Sequence, residues 1–254
     1  EIPEIVPNCI VIDPKIKEQK YPFSELCGAG VALKLVQALA GEEFASKLTS
    51  IAAFATVADI VPLIDENRAI VYNGLKTYKQ NLPKGVLKLI ERYKVTSLQT
   101  SDISLKIAPK INTAGRMGDA NVAFRLFVEE DDKVIAKQIA QLEALNEVRV
   151  SDGAEIYEEA LYMLTQQNVS SLKAIVLYNE SWNGGVLGIV CAKLVEKFNK
   201  PVCLMSKVEN EFKGSVRSID KIDIYKELSK LSHLLIRFGG HSQAGGLSII
   251  EENI

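Results

Sequence analysis

Apolar residues in the first half of the chain recur mainly at helical spacing. A short apolar run at Cys9–Asp13 is typical of a strand, and after it Val31, Leu35 and Leu39 mark one face of a helix that opens at the glycines after Cys27. The same periodicity predicts further helices at about residues 42–57, 66–79, 83–93, 102–107 and 119–128. The first half is therefore predicted to be mainly helical.

The longest periodic segment runs from about residue 131 to residue 167, with positions such as Ile139 and Leu142 on a slowly drifting apolar face. A helix of this length extends about 55 Å at 1.5 Å per residue, which is longer than one compact domain needs. We therefore expect a first domain at residues 1–130, a connecting helix at 131–167 and a smaller second domain at 168–254.

The second half changes period and predicts a different architecture. Two apolar strands at residues 174–178 and 201–205 are separated by a helix at 186–198, and this order is typical of a parallel βαβ unit. A strand at 211–217, a helix at about 223–230 and a glycine-dense loop at 238–249 follow, and the end of this loop, at 245–250, is typical of a strand. The predicted fold class is α/β, with a parallel or mixed sheet in the smaller domain.

Composition narrows the class of protein. With 47% hydrophobic residues, 24% charged residues and a formal net charge of −2, the chain is neither disordered nor a polycation that coats nucleic acid. Four dispersed cysteines without a C-x-x-C motif, and only two histidines, exclude a structural zinc site and predict buried free thiols. No apolar run reaches the ~18 residues of a membrane span. We expect a cytoplasmic protein with no membrane partner.

Residues 107–118 carry the strongest loop pattern of the first half. Pro109, Gly115 and Gly118 are expected to prevent regular structure, while Lys110 and Arg116 place positive charge beside backbone N–H groups. This segment is predicted to face a phosphate.

Asp59 stands within the apolar run that ends at Pro62 and Leu63. A buried carboxylate must be hydrogen-bonded, ion-paired or bound to a metal, because desolvating an unpaired charge is costly. A hard cation such as Mg²⁺ or Mn²⁺ needs several such ligands, and nothing close in sequence supplies a second. The alternative is an aspartate at the end of a helix or in the turn before Pro62.

Ser215 and Arg217 lie two residues apart in a predicted strand, so their side chains point to the same face. A guanidinium and a hydroxyl together suit a phosphate, although an ordinary surface arginine explains Arg217 equally well. The glycine-flanked His241 is predicted to add an imidazole donor, whereas His233 is predicted to be structural.

Six motifs occur in an order that is more specific than any one of them. They are Cys27-Gly-Ala-Gly-Val-Ala, Ala55-Thr-Val-Ala-Asp-Ile-Val-Pro-Leu, Ile111-Asn-Thr-Ala-Gly-Arg-Met, Gly184-Gly-Val-Leu-Gly-Ile-Val, Gly214-Ser-Val-Arg-Ser and Phe238-Gly-Gly-His-Ser-Gln-Ala-Gly-Gly-Leu. In this order they resemble the bacterial single-strand-specific exonucleases of the DHH phosphoesterase family. The resemblance covers essentially the whole chain.

The resemblance implies that residues 1–130 are the C-terminal part of a DHH domain and that the long helix joins them to a DHH-associated domain. It implies a divalent metal cofactor, Mn²⁺ or Mg²⁺, and a two-metal hydrolysis that releases nucleotides from a 5′ end. Asp59 would be a catalytic, metal-binding residue. The residues implied to contact nucleic acid are Asn112, Arg116, Ser215, Arg217, Ser218, Gly239, Gly240 and His241. The implied partners are single-stranded DNA with a 5′ end, and a helicase or a single-strand-binding protein.

The chain also departs from that family. The Asp-His-His sequence and the earlier aspartate motifs are absent, and Asn183 stands where the family often has histidine. We therefore expect a piece of a longer enzyme of DNA recombination and repair, with an incomplete metal site and no activity by itself. Two alternatives remain: a nano-RNase or cyclic-dinucleotide phosphodiesterase of the same family, and a non-catalytic nucleic-acid-binding module like the one appended to alanyl-tRNA synthetase.

Overall fold

A computed structural model of the chain describes residues 10–16 and 20–254, which form two compact units. The helical unit comprises the described residues up to Gly115 together with Asp119–Ala144. The sheet unit comprises Arg116–Gly118 and Leu145–Ile254. The domain boundaries expected from the sequence, at residues 130 and 167, remain a prediction.

The helical unit is built from the amphipathic segments that the sequence predicts. Its helices are α1 Gly28–Ala40, α2 Glu42–Ala58, α3 Asp65–Asn81, α4 Lys84–Arg92, α5 Thr100–Asp102, α6 Ala108–Arg116, α7 Asn121–Arg125 and the first part of α8 Asp132–Thr165. Their apolar faces meet in one core that includes Phe54, Leu89, Ile103 and Leu142. The short run predicted as a strand has no strand at residues 10–13, where Ile10 is exposed, and Cys9 lies outside the described residues.

Helices α2 and α3 pack closely because Gly74 has no side chain. An ideal Cβ on Gly74 would lie 2.4 Å from the Cβ of Ala53 and 2.7 Å from the carbonyl oxygen of Thr49. The Ser50 hydroxyl donates a hydrogen bond of 2.9 Å to the Gly74 carbonyl at the same crossing. Small residues on both helices therefore set how closely the two backbones approach.

The expectation of an irregular loop at residues 107–118 is wrong. A π-helical turn, Ile103–Ile107, runs directly into α6, which continues to Arg116. Pro109 follows the π-helical turn directly, where the N–H of Ala108 donates to the carbonyl of Ile103, so the regular i→i−4 ladder is already interrupted at the residue that lacks an N–H. The helix is followed by Gly118 with a φ of 102°, a conformation that glycine adopts readily. The helix predicted at 119–128 is confirmed only over α7.

The sheet unit contains a five-stranded mixed sheet. Its strands are β1 Ile175–Tyr178, β2 Val202–Val208, β3 Glu211–Arg217, β4 Leu235–His241 and β5 Ala244–Ile249, and its helices are the second part of α8, α9 Leu187–Phe198 and α10 Ile224–Lys230. The strand order is β1-β2-β3-β5-β4. Only the β1–β2 pair is parallel, which confirms the predicted βαβ unit, and the other pairs are antiparallel.

Each face of the sheet has its own core. Ile175 and Leu204 pack with Ala160 of α8 and Val190 of α9 in one buried cluster. Side chains of the opposite face, including Phe212 and Val216, pack with Ile224 and Leu228 of α10 in another. Successive side chains of each strand point to opposite faces of the sheet. In β1 only Ile175 and Leu177 are buried, whereas Val176 and Tyr178 are exposed.

The glycine-dense segment expected as a loop at residues 238–249 is a β-hairpin, and its second strand, β5, confirms the strand predicted at 245–250. Gly239 pairs with Gly246 and Gly240 with Gly245, while Ser242 and Gln243 form the turn. An ideal Cβ on Gly240 would lie 2.3 Å from the carbonyl oxygen of Ala244, and the φ of Gly240 is 143°. The glycines therefore permit close backbone pairing here rather than preventing regular structure.

The long helix is confirmed almost in full as α8. Its residues 132–144 belong to the helical unit and its residues 145–165 to the sheet unit. In the described part of the chain, no helix combines the length and the hydropathy needed to cross a bilayer.

Candidate nucleic-acid interface

Ser215 and Arg217 share one face of β3, as their spacing predicts. The Arg217 guanidinium donates through Nη1 to the carbonyl of Val216 at 2.8 Å and to the Ser215 hydroxyl at 3.3 Å. Both residues are half-buried. The guanidinium is thus held against its own strand, with donors left over for a ligand.

The first turn of α9 lies directly against this pair. An ideal Cβ on Gly188 would lie 2.8 Å from Nη2 of Arg217 and 2.9 Å from the Ser215 hydroxyl oxygen. Glycine is therefore required at this position if both side chains are to keep their places. The N-terminal end of a helix, the hydroxyl and the guanidinium together favour an anion.

Cys191 supports the same strand from α9. Its thiol donates to the carbonyl of Ser215 at 3.1 Å, and burial raises its pKa to about 12. The thiol stays protonated near neutral pH and is a structural group. Cys27 and Cys203 are also buried and free, as the sequence predicts.

Two further arginines belong to this part of the sheet unit. Burial lowers the pKa of the Arg116 guanidinium, and the positive charges of Arg149 and Arg217 lower it further. Arg149 donates through Nη2 to the side-chain oxygen of Asn146 at 2.9 Å, which fixes it without neutralising its charge. Within residues 10–16 and 20–254, none of these three arginines forms an ion pair with a carboxylate. A group of uncompensated guanidinium charges favours a phosphate.

Gly185, in the loop before α9, holds Arg116 in place. Nη1 of Arg116 lies 3.5 Å from the carbonyl oxygen of Gly185, which accepts its hydrogen bond. An ideal Cβ on Gly185 would lie only 1.9 Å from the carbonyl oxygen of Arg116. The two backbones therefore touch, and only glycine fits there.

The strand register places His241 in line with Arg217. Arg217 pairs with Ala244, and Ala244 pairs with His241, so these side chains point to the same face about 10 Å apart across two strand spacings. The His241 ring is exposed, and its Nδ1 accepts a hydrogen bond of 3.3 Å from the backbone N–H of Gln243. The neutral imidazole then carries its proton on Nε2 and can donate from there.

In the cross-strand row that contains Ser215, the residues on β5 and β4 are glycines. Ser215 pairs with Gly246, and Gly246 pairs with Gly239 on β4. Backbone is therefore uncovered between Ser215 and the end of β4 on the face that carries Arg217. Gly240 is not part of this row, because alternate residues of a strand point to opposite faces.

The hydroxyl of Ser218 is not available to a ligand on this face. It is 7% exposed, and its hydroxyl donates to the carbonyl of Ile222 at 2.7 Å. Its backbone N–H also donates to the carbonyl of Gln243 at 2.9 Å. These bonds close the loop after β3, which is a structural role.

The remaining predicted site residues lie in the helical unit. Asn112 is exposed on α6, one turn before Arg116 on the same helix. Asp59 is exposed at the C-terminal end of α2, so the premise that it is a buried carboxylate is wrong. The next residue, Ile60, has a φ of 58°, an uncommon conformation for a β-branched residue.

Three side chains of the sheet unit were missed by the sequence patterns. Arg149 and Asp152 follow the ordinary surface face of a long helix, and Asn183 was noted only as a departure from a family pattern. The side-chain amide of Asn183 donates to the Asp152 carboxylate at 2.7 Å. Nearby, Trp182 is 5% exposed and its indole N–H donates to Glu159, so this ring belongs to the core.

The chain is similar to known proteins in sequence and in structure. Residues 171–254 match the DHHA1 domain family. Over 256 residues the chain is 35% identical to the single-stranded-DNA-specific exonuclease RecJ of Bacillus subtilis (strain 168), in a match that covers 99% of this chain and 32% of the relative.

Two solved structures of RecJ from Thermus thermophilus are also similar. The one in complex with Mg²⁺ has a TM-score of 0.81 at 31% identity, over 94% of this chain and 37% of that chain. The one in complex with Mn²⁺ has a TM-score of 0.80 at 32% identity, over 89% of this chain and 34% of that chain. The chain spans about a third of the length of these relatives.

Proposed function

We propose, from the premise that this chain is a RecJ homologue of the DHH family, that it serves a 5′-to-3′ single-stranded-DNA exonuclease by holding the 5′-terminal phosphate. The residues proposed to hold it are Arg116, Arg149, Ser215 and Arg217. The role in recombination and repair, and a helicase or single-strand-binding protein as partner, are expectations that rest on the resemblance alone. The cytoplasmic location is an expectation from the cysteines and the hydropathy of the sequence.

The observation that supports this proposal is the group of three arginines without carboxylate partners, of which Arg217 lies against Gly188 in the first turn of α9. A terminal phosphate monoester carries about 1.5 to 2 negative charges at pH 7, whereas an internal diester carries one. Several guanidinium groups in one place therefore favour the end of a strand over its interior. Charge-assisted hydrogen bonds from arginine are also stronger than neutral ones.

The described residues do not by themselves fit a divalent metal centre. In the part of the chain that the structure describes, no three histidine, cysteine, aspartate or glutamate side chains form a group that would hold a metal ion. We propose Asp59 as one ligand of Mn²⁺ or Mg²⁺, the ions in the two similar RecJ structures. Its exposed carboxylate at the end of α2 is open to such a contact.

The proposal is tested by changing Arg217→Ala in the 254-residue chain. The affinity for a short 5′-phosphorylated oligodeoxythymidine is expected to fall roughly 10- to 100-fold, because a hydrogen bond to a charged group is worth about 1.5–3 kcal/mol. The affinity for the matching 5′-hydroxyl oligonucleotide is expected to change less than threefold. Fluorescence anisotropy with both oligonucleotides measures this difference.

The matched control is Arg92→Ala, which removes one positive charge from a pair with Glu143 in the helical unit. It is expected to affect the two oligonucleotides equally. Equal losses for both oligonucleotides in Arg217→Ala would contradict the terminal-phosphate role. A wild-type chain without any preference for the 5′-phosphate would contradict the proposed function itself.

A second prediction concerns cleavage. With Mn²⁺ present, we expect the 254-residue chain to release no nucleotides from the same labelled oligonucleotide, since Asp59 is the only metal ligand assigned within it. Gel electrophoresis of the products at several enzyme concentrations measures this. Cleavage that tracks the purified chain and disappears on addition of a chelator would overturn the assignment of ligands.

A further inference from the structure

The side chain of Asn183 makes two hydrogen bonds that differ in direction. Its amide nitrogen donates to the carboxylate of Asp152 on α8 at 2.7 Å, and its amide oxygen accepts from the backbone N–H of Gly185 at 3.1 Å. The same nitrogen lies 3.8 Å from the sulfur of Met117, the neighbour of Arg116. One half-buried side chain thus connects α8, the loop before α9 and residue 117.

That loop is shaped by Asn183 and leads directly to the arginines. The N–H of Val186 donates to the carbonyl of Asn183 at 3.0 Å, which closes the turn from which α9 starts. Gly185, in the middle of the turn, accepts from the Arg116 guanidinium and lies against the Arg116 backbone. Gly188, in the first turn of α9, lies against Arg217. A shift of this loop would therefore move both arginines.

We infer that Asp152 and Asn183 are positioning residues for the terminal phosphate. They hold the loop at residues 183–186, and through it Arg116 and the first turn of α9, without touching the phosphate themselves. This inference rests on the proposed function. Asp152 also lies one helical turn from Arg149, which places a negative charge close to cations that are meant to attract an anion.

Electrostatics and positioning predict opposite signs for the loss of Asp152. If its charge alone mattered, removing a carboxylate near the arginines would strengthen phosphate binding, because like charges repel. If it positions the loop, removing it would weaken phosphate binding, because Asn183 would lose its partner. The sign of the change therefore distinguishes the two roles.

The experiment measures 5′-phosphate and 5′-hydroxyl oligonucleotide binding for Asp152→Ala and Asn183→Ala in the 254-residue chain. Both variants are expected to lose roughly 5- to 10-fold in affinity for the phosphorylated oligonucleotide, as expected for one or two lost hydrogen bonds, and little for the other. Glu158→Ala is the matched control, since it removes an exposed carboxylate from the same helix. It is expected to leave both affinities unchanged or to raise both slightly.

Exchanging the side chains of Asn183 and Asp152 tests whether phosphate binding can be restored. Asn183→Asp alone places two carboxylates within hydrogen-bond distance and is expected to weaken phosphate binding at least as much as Asn183→Ala. In the double variant Asn183→Asp with Asp152→Asn, the amide on α8 donates to the new carboxylate, which also accepts from Gly185. The double variant has the net charge of the wild type and is expected to recover to within about threefold of it, as coupled neighbours do in a double-mutant cycle.

The outcomes separate the two claims. If wild type and Arg217→Ala behave as expected but Asp152→Ala binds the phosphate as well as wild type or better, the positioning role is wrong and the proposed function stands. Failure of the double variant to recover, with near-ultraviolet circular dichroism like that of wild type, also contradicts the positioning role. If wild type shows no phosphate preference, the proposed function fails first.

Discussion

Changing Gly188→Ala is expected to lower the affinity of the 254-residue chain for a 5′-phosphorylated oligonucleotide by roughly 100-fold. The new methyl group would stand within 3 Å of both Nη2 of Arg217 and the Ser215 hydroxyl, so both side chains must move. Loss of two phosphate contacts, one of them charged, accounts for about 2–3 kcal/mol, which corresponds to this factor.

The same change is expected to leave the fold intact. Alanine is a better helix former than glycine, and the closest atoms that its methyl group would meet are side-chain ends that can turn away. Thermal unfolding followed by circular dichroism should therefore show no loss of stability. Gly28→Ala is the matched control, because a Cβ there meets nothing within 4 Å. Phosphate binding within threefold of wild type in Gly188→Ala would show that the pair does not hold the ligand.

Changing Gly74→Ala is expected to lower the free energy of unfolding of the helical unit by about 2 kcal/mol. Its Cβ would lie 2.4 Å from the Cβ of Ala53 and 2.7 Å from the carbonyl oxygen of Thr49, so α2 and α3 must separate. Overpacking of this kind costs about 1–3 kcal/mol and occasionally more, and it outweighs the roughly 1 kcal/mol that alanine gains in a helix.

Urea unfolding followed by circular dichroism at 222 nm measures this change, again with Gly28→Ala as the control. Adding Ala53→Gly to Gly74→Ala removes the shorter of the two contacts and is expected to recover part of the loss. Gly74→Ala as stable as wild type would contradict the role of this helix crossing. So would a double variant that is less stable than Gly74→Ala by about the 1 kcal/mol that glycine costs in a helix. Oligonucleotide preference is expected to be unchanged in variants that remain folded.

The sequence determined the features that depend on local periodicity. The βαβ unit, the long helix α8 and the shared face of Ser215 and Arg217 follow from periods of 3.6 and two, which neighbouring residues set among themselves. The order of motifs also indicated the family, since it depends on residue identity alone. The glycines misled in two places, at α6 and in the β4–β5 hairpin, because glycine permits close backbone contact as readily as it breaks an element.

Only the tertiary structure decided which side chains meet. Asp59 was expected to be buried because its neighbours are apolar, but the end of α2 places it in solvent, and burial is a property of the whole fold. The resemblance grouped Ser218 with Arg217 as a nucleic-acid contact, yet the Ser218 hydroxyl donates to the carbonyl of Ile222. Arg149 and the Asp152–Asn183 pair left no local pattern, because their partners are brought together from distant positions in the chain. Spacing in a sequence shows which face a residue takes, whereas packing decides what that face contacts.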